Sequence, residues 1–368
     1  MMSRILLFGF LFLFFGRNAL TAQHLSPYFD AHEYSDMLKL SARQRDTPWT
    51  HLKGPVPEGY ELAYRSEEVG LLNRWDFWIN RSQGVGVISI RGTNGTASSW
   101  MENFYAGMVS AKGTLQLNDS TTFTYKLAED NKAYVHAGWL LGLASMAPDI
   151  IDKINHYYYQ EGIHEFIIFG HSQGGAIAFL LRSYLHYYEG MPNNIVFKTY
   201  CSAAPKPGNL YYSYDFDYIT RNGWALRVVN AADWVPEVPY SIQTPRDFNT
   251  VNPFANIKKV FRKQKFPAST ALRYAYGRLD RPARRASRRF QRMLGKMTYT
   301  RVKKTLPGYK RPVFVNSHNY MPAGTPVILY PVKGYDEQFH FDGKNIFLHH
   351  SLDSYRWLLE HIYLTGNL

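Results

Sequence analysis

Residues 166–181 read Phe166-Ile-Ile-Phe-Gly170-His171-Ser172-Gln173-Gly174-Gly175-Ala-Ile-Ala-Phe-Leu-Leu181. An apolar run of β-forming residues ends at the first glycine, and an Ala/Leu-rich run of helical character follows the last. Gly170, Ser172 and Gly174 satisfy G-x-S-x-G, the pattern of a nucleophile carried on a sharp strand–turn–helix. Glycine on each side removes side chains that would collide in such a turn, and the serine hydroxyl is left exposed at its apex. The helix that follows presents free N–H groups and the positive end of its dipole, both of which favour a developing oxyanion.

The flanking segments repeat this alternation of strand and helix. Ala147 to Gln160 places Ile150, Ile151, Ile154, Tyr157 and Tyr158 at helical spacing, and Glu165 to Phe169 is an apolar strand. Ala176 to Tyr188 reads as a helix. Asn194 to Cys201, Ala225 to Asn230 and Pro326 to Tyr330 read as strands, and Trp357 to Tyr363 lies in a final helix. Trp75 to Asn80 and Val85 to Arg91, joined by Arg81-Ser-Gln-Gly84, form a hairpin. This order predicts an α/β fold with a mainly parallel central sheet and helices on both faces.

A serine hydroxyl needs a base to take its proton and a third group to orient that base. In this architecture the order is Ser, acid, His. Asp233 stands just beyond the strand Ala225–Asn230, at the sheet edge where open α/β folds gather their functional groups. Asp247, Asp280, Asp336 and Asp342 have no such strand before them. The histidine candidates are His318, His340, His349, His350 and His361, of which the pair His349-His350 opens the last helix.

Five separated pieces together resemble the class 3 lipases, the fungal-lipase-like branch of the α/β-hydrolases. They are Val87-Ile-Ser-Ile-Arg91-Gly92-Thr93 with Trp100; Val135-His136-Ala-Gly138-Trp139; Gly170-His171-Ser172-Gln173-Gly174; Pro205-Lys-Pro-Gly208-Asn209; and Asn230 to Pro236 around Asp233. Tyr320 to Gly324 and His350 to Tyr355 resemble the family's closing segments, so the likeness spans roughly 60–240 and 312–368. The resemblance implies an α/β-hydrolase with catalytic Ser172, Asp233 and His350, and it favours His350 over His349. It also implies that Thr93, by its N–H and hydroxyl, and Gln173, by its N–H, hold the oxyanion. Residues 94–112 fall where the family often carries its lid, and Trp100, Met101, Phe104, Tyr105 and Met108 would form an apolar underside. A packed surface helix explains that pattern equally well.

The 368-residue chain carries 42 Lys/Arg against 29 Asp/Glu, and the excess is local. Lys258 to Arg311 holds 19 Lys/Arg and one acid, Asp280. Its net of +18 against +13 for the chain leaves −5 elsewhere, so the high pI belongs to one segment. That segment, about 247–311, reads as a basic helical insertion within an α/β-hydrolase domain of residues 23–368. Pro282 is expected to break or start its helix. Ala283, Ala286, Phe290, Met293, Leu294 and Met297 lie at helical spacing among the arginines. A basic helix with an apolar stripe can dock on an anionic membrane surface. A helical cap with solvated charges is the competing reading. Nucleic acid is set aside, because no binding module accompanies the charge.

Residues 1–22 carry one early cation, the apolar run Ile5 to Gly16 and Leu20-Thr21-Ala22, the three regions of a signal peptide. The single cysteine, Cys201, rules out an intramolecular disulfide and reads as a buried thiol. Asn94-Gly95-Thr96 is formally a glycosylation acceptor, but a glycan beside Thr93 would obstruct substrate. That consideration favours a bacterial secreted or periplasmic protein over a eukaryotic one.

The expectation is an exported serine hydrolase that cleaves carboxylic esters of lipids, acylglycerol or phospholipid, with no cofactor and no metal. The alternatives are a soluble short-chain carboxylesterase and a membrane-binding envelope protein with a vestigial hydrolase site.

Overall fold

Along the strand Glu165–His171, Phe166 and Ile168 enter one buried cluster while Ile167 and Phe169 enter another. A strand turns successive side chains to opposite faces, so this strand, apolar on both, must be covered on both. The computed structural model describes residues 23–44 and 56–365. The signal peptide read at residues 1–22 lies outside them.

The central sheet has seven strands whose spatial order follows the chain: β1 (Tyr60–Arg65), β2 (Trp75–Asn80), β3 (Val85–Ile90), β4 (Glu165–His171), β5 (Val196–Ser202), β6 (Ala225–Asn230) and β7 (Thr325–Leu329). β1, β2 and β3 pair antiparallel, and the β2–β3 hairpin lies in the register Asn80↔Val85. From β3 to β7 every pairing is parallel.

Right-handed crossovers that always step the same way put their helices on one face. The crossover helices between β3 and β5 pack there, in the cluster that holds Phe77, Ile88 and Phe166. The opposite face, with Trp78, Val87 and Phe169, is covered by the two ends of the described chain: α1 (Ala31–Ala42) and the C-terminal helix Leu352–Leu359.

α2 (Ala97–Phe104) follows β3, and α3 (Ala137–Glu161) carries the chain to β4. α3 begins ten residues before the expected Ala147. Leu140, Leu141, Leu143 and Ala144 are buried all round, so no helical period is visible there, and Pro148 lies inside the helix. α4 (Gln173–Tyr187) leaves the serine turn directly. α5 (Leu210–Ile219) links β5 to β6. Cys201 on β5 is free and buried, and burial pushes its thiol pKa well up.

Between β6 and β7 run α6 (Ile257–Arg262), α7 (Ala268–Phe290), a π-helical turn Gln291–Met297 and α8 (Thr298–Thr305). Pro282 neither breaks nor starts a helix, contrary to expectation: it lies inside α7. Proline there removes a hydrogen bond to the Arg278 carbonyl. Arg278 and Pro282 are both exposed, so water can satisfy that carbonyl.

Candidate active site

Ser172 lies between β4 and α4 with φ 62° and ψ −128°, a conformation sparsely populated by residues with a side chain. Its neighbours make that strain possible. A Cβ on Gly170 would overlap the backbone of Gly174, and one on Gly174 would overlap the Ile90 carbonyl. The Ser172 N–H donates to the Ser202 carbonyl at 2.9 Å, which ties the turn to β5.

His350 Nε2 lies 2.7 Å from Ser172 Oγ, and His350 Nδ1 lies 2.7 Å from Asp233 Oδ2. Since the carboxylate accepts from Nδ1–H, Nε2 is left with its lone pair toward the serine hydroxyl. Asp233 is buried and held on both oxygens. Oδ2 also accepts from the Tyr355 hydroxyl at 2.9 Å, and Oδ1 accepts from the Val235 N–H at 3.0 Å. These bonds fix the plane in which the carboxylate meets the imidazole.

The structure therefore brings Ser172, His350 and Asp233 together and leaves the other candidates elsewhere. His349 turns away: its Nδ1 meets the Tyr335 hydroxyl at 2.9 Å, and its carbonyl accepts from Asn230 Nδ2 at 2.9 Å. His318 is buried between Phe290 and Tyr320, His361 stacks on Trp357, and His340 is exposed. Asp247 is bonded by Thr244 and Ser317, and Asp280 pairs with Arg284. Asp336 and Asp342 are exposed.

A second relay fixes the histidine loop from behind. The His350 carbonyl must accept from His171 Nε2–H, at 2.8 Å, so His171 Nδ1 accepts from Ser202 Oγ at 3.0 Å. Ser202 Oγ in turn meets the Tyr34 hydroxyl of α1 at 2.6 Å. The N-terminal helix thus reaches the site through three buried polar groups.

Thr93 and Gln173 flank the serine. Thr93 Oγ1 accepts from Asn103 Nδ2 at 2.9 Å and lies 3.4 Å from Gln173 Oε1. Asn103 is itself held, because its Oδ1 accepts from Trp139 Nε1 at 3.0 Å. Its carbonyl accepts from His136 Nε2 at 3.1 Å. His136 Nδ1 caps α3 by accepting from the N–H groups of Gly138 and Trp139. Burial lowers the His136 pKa to about 3, so the imidazole is neutral and free to cap.

The segment 94–112 divides. Tyr105 and Met108 are wholly buried in the body, and Glu102 is buried against Asn73. Trp100 and Phe104 line the cavity over the serine, and Phe104 is exposed at its rim. The stretch from Tyr105 onward is therefore core and cannot act as the underside of a lid.

That cavity has a volume of about 920 Å³, with Ser172, Thr93, Gln173 and His350 on its floor. Its walls are apolar and aromatic, among them Trp100, Trp234, Phe347, Val238, Phe290 and Leu294. Among the described residues no cluster of three or more His, Cys, Asp or Glu could hold a metal ion.

Residues 87–242 match the family Lipase (class 3). The chain is similar to the class 3 lipases across that region, which is less than half of its length. Two secreted mono- and diacylglycerol lipases of Malassezia globosa are similar to it. MDL2 is 26% identical over 229 residues, 61% of this chain and 63% of its own length. MDL4 is 25% identical over 179 residues, 47% of this chain and 54% of its own length. The chain thus spans less than two thirds of the length of either relative. Among solved structures, a lipase from Rhizopus microsporus var. chinensis is 20% identical, with a TM-score of 0.41 over 60% of this chain and 76% of that one. These relatives are fungal, and the expected bacterial origin has no support among them.

Within this matched region lie Thr93, Ser172, Gln173 and Asp233. His350 and the helical segment from Ile257 to Thr305 lie beyond it. Sequence reasoning missed Asn103, Tyr355 and Asn230 as positioning groups. Tyr355 and Asn230 stand inside quoted motifs, but only the folded chain shows that their polar atoms reach Asp233 and the His349 carbonyl.

Proposed function

We propose that this protein is an exported serine hydrolase that cleaves carboxylic esters of lipids through an acyl-enzyme. The observation that carries the reading is the Ser172–His350–Asp233 relay on the floor of an apolar cavity. Ser172 Oγ attacks the ester carbonyl as His350 Nε2 takes its proton, and Asp233 stabilises the imidazolium. The oxyanion falls between Thr93 and the first N–H groups of α4, starting at Gln173. His350 returns the proton to the leaving alkoxide, and the alcohol departs. Water, deprotonated by the same nitrogen, then releases the fatty acid. The apolar walls match an acyl chain better than a soluble polar ester. Export accords with the signal sequence read at residues 1–22 and with the secreted relatives.

The test is hydrolysis of p-nitrophenyl esters from acetyl to palmitoyl, with Ser172→Ala alongside. Long chains should be preferred, and the mutant should lose about 10⁴-fold or more in kcat. A preference for acetyl or butyryl would make the protein a soluble short-chain esterase. No turnover by folded protein would mark the site as vestigial.

The basic helical insertion fits an anionic lipid surface as partner. Arg281, Arg285, Arg288 and Arg289 are exposed on α7, where Leu279 is 76% exposed, and each charge near such a surface contributes about 1 kcal/mol. Flotation with phosphatidylglycerol vesicles should exceed that with phosphatidylcholine, and changing these four arginines to Gln should abolish the difference. Equal binding to both vesicles would sink this assignment.

A further inference from the structure

The π-helical turn Gln291–Met297 touches the candidate active site. Phe290, immediately before it, and Leu294, within it, line the cavity that holds Ser172 and His350. Met293 and Met297 on the same turn are 44% and 57% exposed. A π turn within a helix is rare and recurs at functional sites. Here Leu294 lies on the cavity side while Met293 and Met297 face out.

This wall is fixed to the body rather than laid over it. The Gly107 N–H donates to the Leu294 carbonyl at 3.1 Å. A Cβ on Gly107 would come within 2.6 Å of the Gly295 Cα, so the two backbones meet through paired glycines. The Phe290 ring packs on His318, with centroids 5.0 Å apart, and edge-to-face on Tyr240 at 6.1 Å. The matched family region ends at residue 242, so this wall comes from a segment outside it.

Leu272 and Leu279 lie on the same face of α7 as Phe290, spaced by 7 and 11 residues, and both are exposed. One apolar stripe therefore runs from solvent along the basic helix into the cavity.

We infer that Phe290 and Leu294 are specificity-determining residues. They form the wall against which the acyl chain lies, so the basic segment sets the chain length the site accepts. This inference rests on the ester-hydrolase reading, and its test separates the two. The kcat/KM values for monomeric p-nitrophenyl butyrate and dodecanoate would be measured for wild type, Leu294→Trp and Phe290→Ala. In parallel, the affinity of each protein for dansyl-labelled undecanoic acid would be measured.

The dodecanoate-to-butyrate ratio should fall about tenfold in Leu294→Trp, which fills the wall. It should fall about fivefold in Phe290→Ala, which removes it, and probe affinity should fall in parallel. A ratio cancels any general loss of folded enzyme, and the two variants perturb volume in opposite directions. Ratios and affinities within twofold of wild type in both variants would overturn the inference. If wild type hydrolyses no ester, the hydrolase reading falls and probe binding alone decides the wall. Binding weakened in both variants keeps it, and a probe that wild type does not bind overturns it.

Discussion

The Thr93 hydroxyl accepts from Asn103 Nδ2, so its own proton, facing Gln173 Oε1 at 3.4 Å, can turn to an entering oxygen. Loss of a direct oxyanion donor costs about 10²–10³ in kcat. Asn103 acts one step removed, and Asn103→Leu should lower kcat about tenfold with KM within about twofold, read from full saturation curves. Asp233→Asn should cost far more, about 10⁴-fold in kcat, because an amide cannot hold Nδ1–H in the required tautomer. A pre-steady-state burst that shrinks in proportion would place that loss in acylation. At this scale the chain was legible where chemistry is local. Gly170, Ser172 and Gly174 announce the turn, and Asp233 follows its strand. Asn103 carried no such mark, since nothing in Glu-Asn-Phe says that a carboxamide will reach a hydroxyl ten residues back.

α2 carries Asn103 and Trp100, and it is rooted by a buried carboxyl. Glu102 has no solvent exposure, accepts from Asn73 Nδ2 at 2.8 Å, and burial raises its pKa to about 8. The group is thus protonated in the folded protein at pH values where the unfolded chain has already ionised it. Between about pH 4.5 and 8 unfolding releases that proton, so stability contributed here is full below the window and lost as pH rises through it. Glu102→Gln should flatten this part of the profile and raise stability at pH 8, as read from urea midpoints at pH 5 and 8. An unchanged slope would show that the carboxyl does not govern it. Gly138→Ala should destabilise the same junction, because its Cβ would overlap the Glu102 carbonyl. The apolar spacing of Trp100, Met101, Phe104 and Tyr105 was visible beforehand, but it could not distinguish a cavity lining from a root in the core. The structure assigns Trp100 and Phe104 to the first and Tyr105 to the second.

Two buried imidazoles shape the response of the whole molecule to acid. Burial lowers His136 to about pKa 3 and His318 to about 4, and among the described residues neither ring nitrogen of His318 has a hydrogen-bond partner. Below about pH 6.5 the unfolded chain takes up protons that the folded one refuses, so stability falls as pH drops toward 4. His318→Leu should remove one such proton from the slope. It should also raise the urea midpoint at pH 7.5, since an unsatisfied buried polar group costs about 1–3 kcal/mol. With Glu102 opposing on the alkaline side, the profile should peak near neutral to mildly acidic pH.

The features readable in advance were those set within a short segment: the glycine-flanked serine turn, the β2–β3 hairpin, the apolar strands, and the concentration of charge in 258–311. Backbone hydrogen bonding and side-chain period act over a few residues, and there the pattern is enough. Other features depended on contacts between distant segments. His350 and Asp233 are 117 residues apart and His350 and Ser172 are 178 apart, and the choice of His350 over His349 turns on which ring the loop swings toward them. The buried first turns of α3 have no exposed face to betray them, and Pro282 stays within α7 because water can serve the carbonyl it leaves free. That Phe290 and Leu294 face the cavity follows from Gly107 meeting Gly295, a contact across 188 positions that no local period encodes.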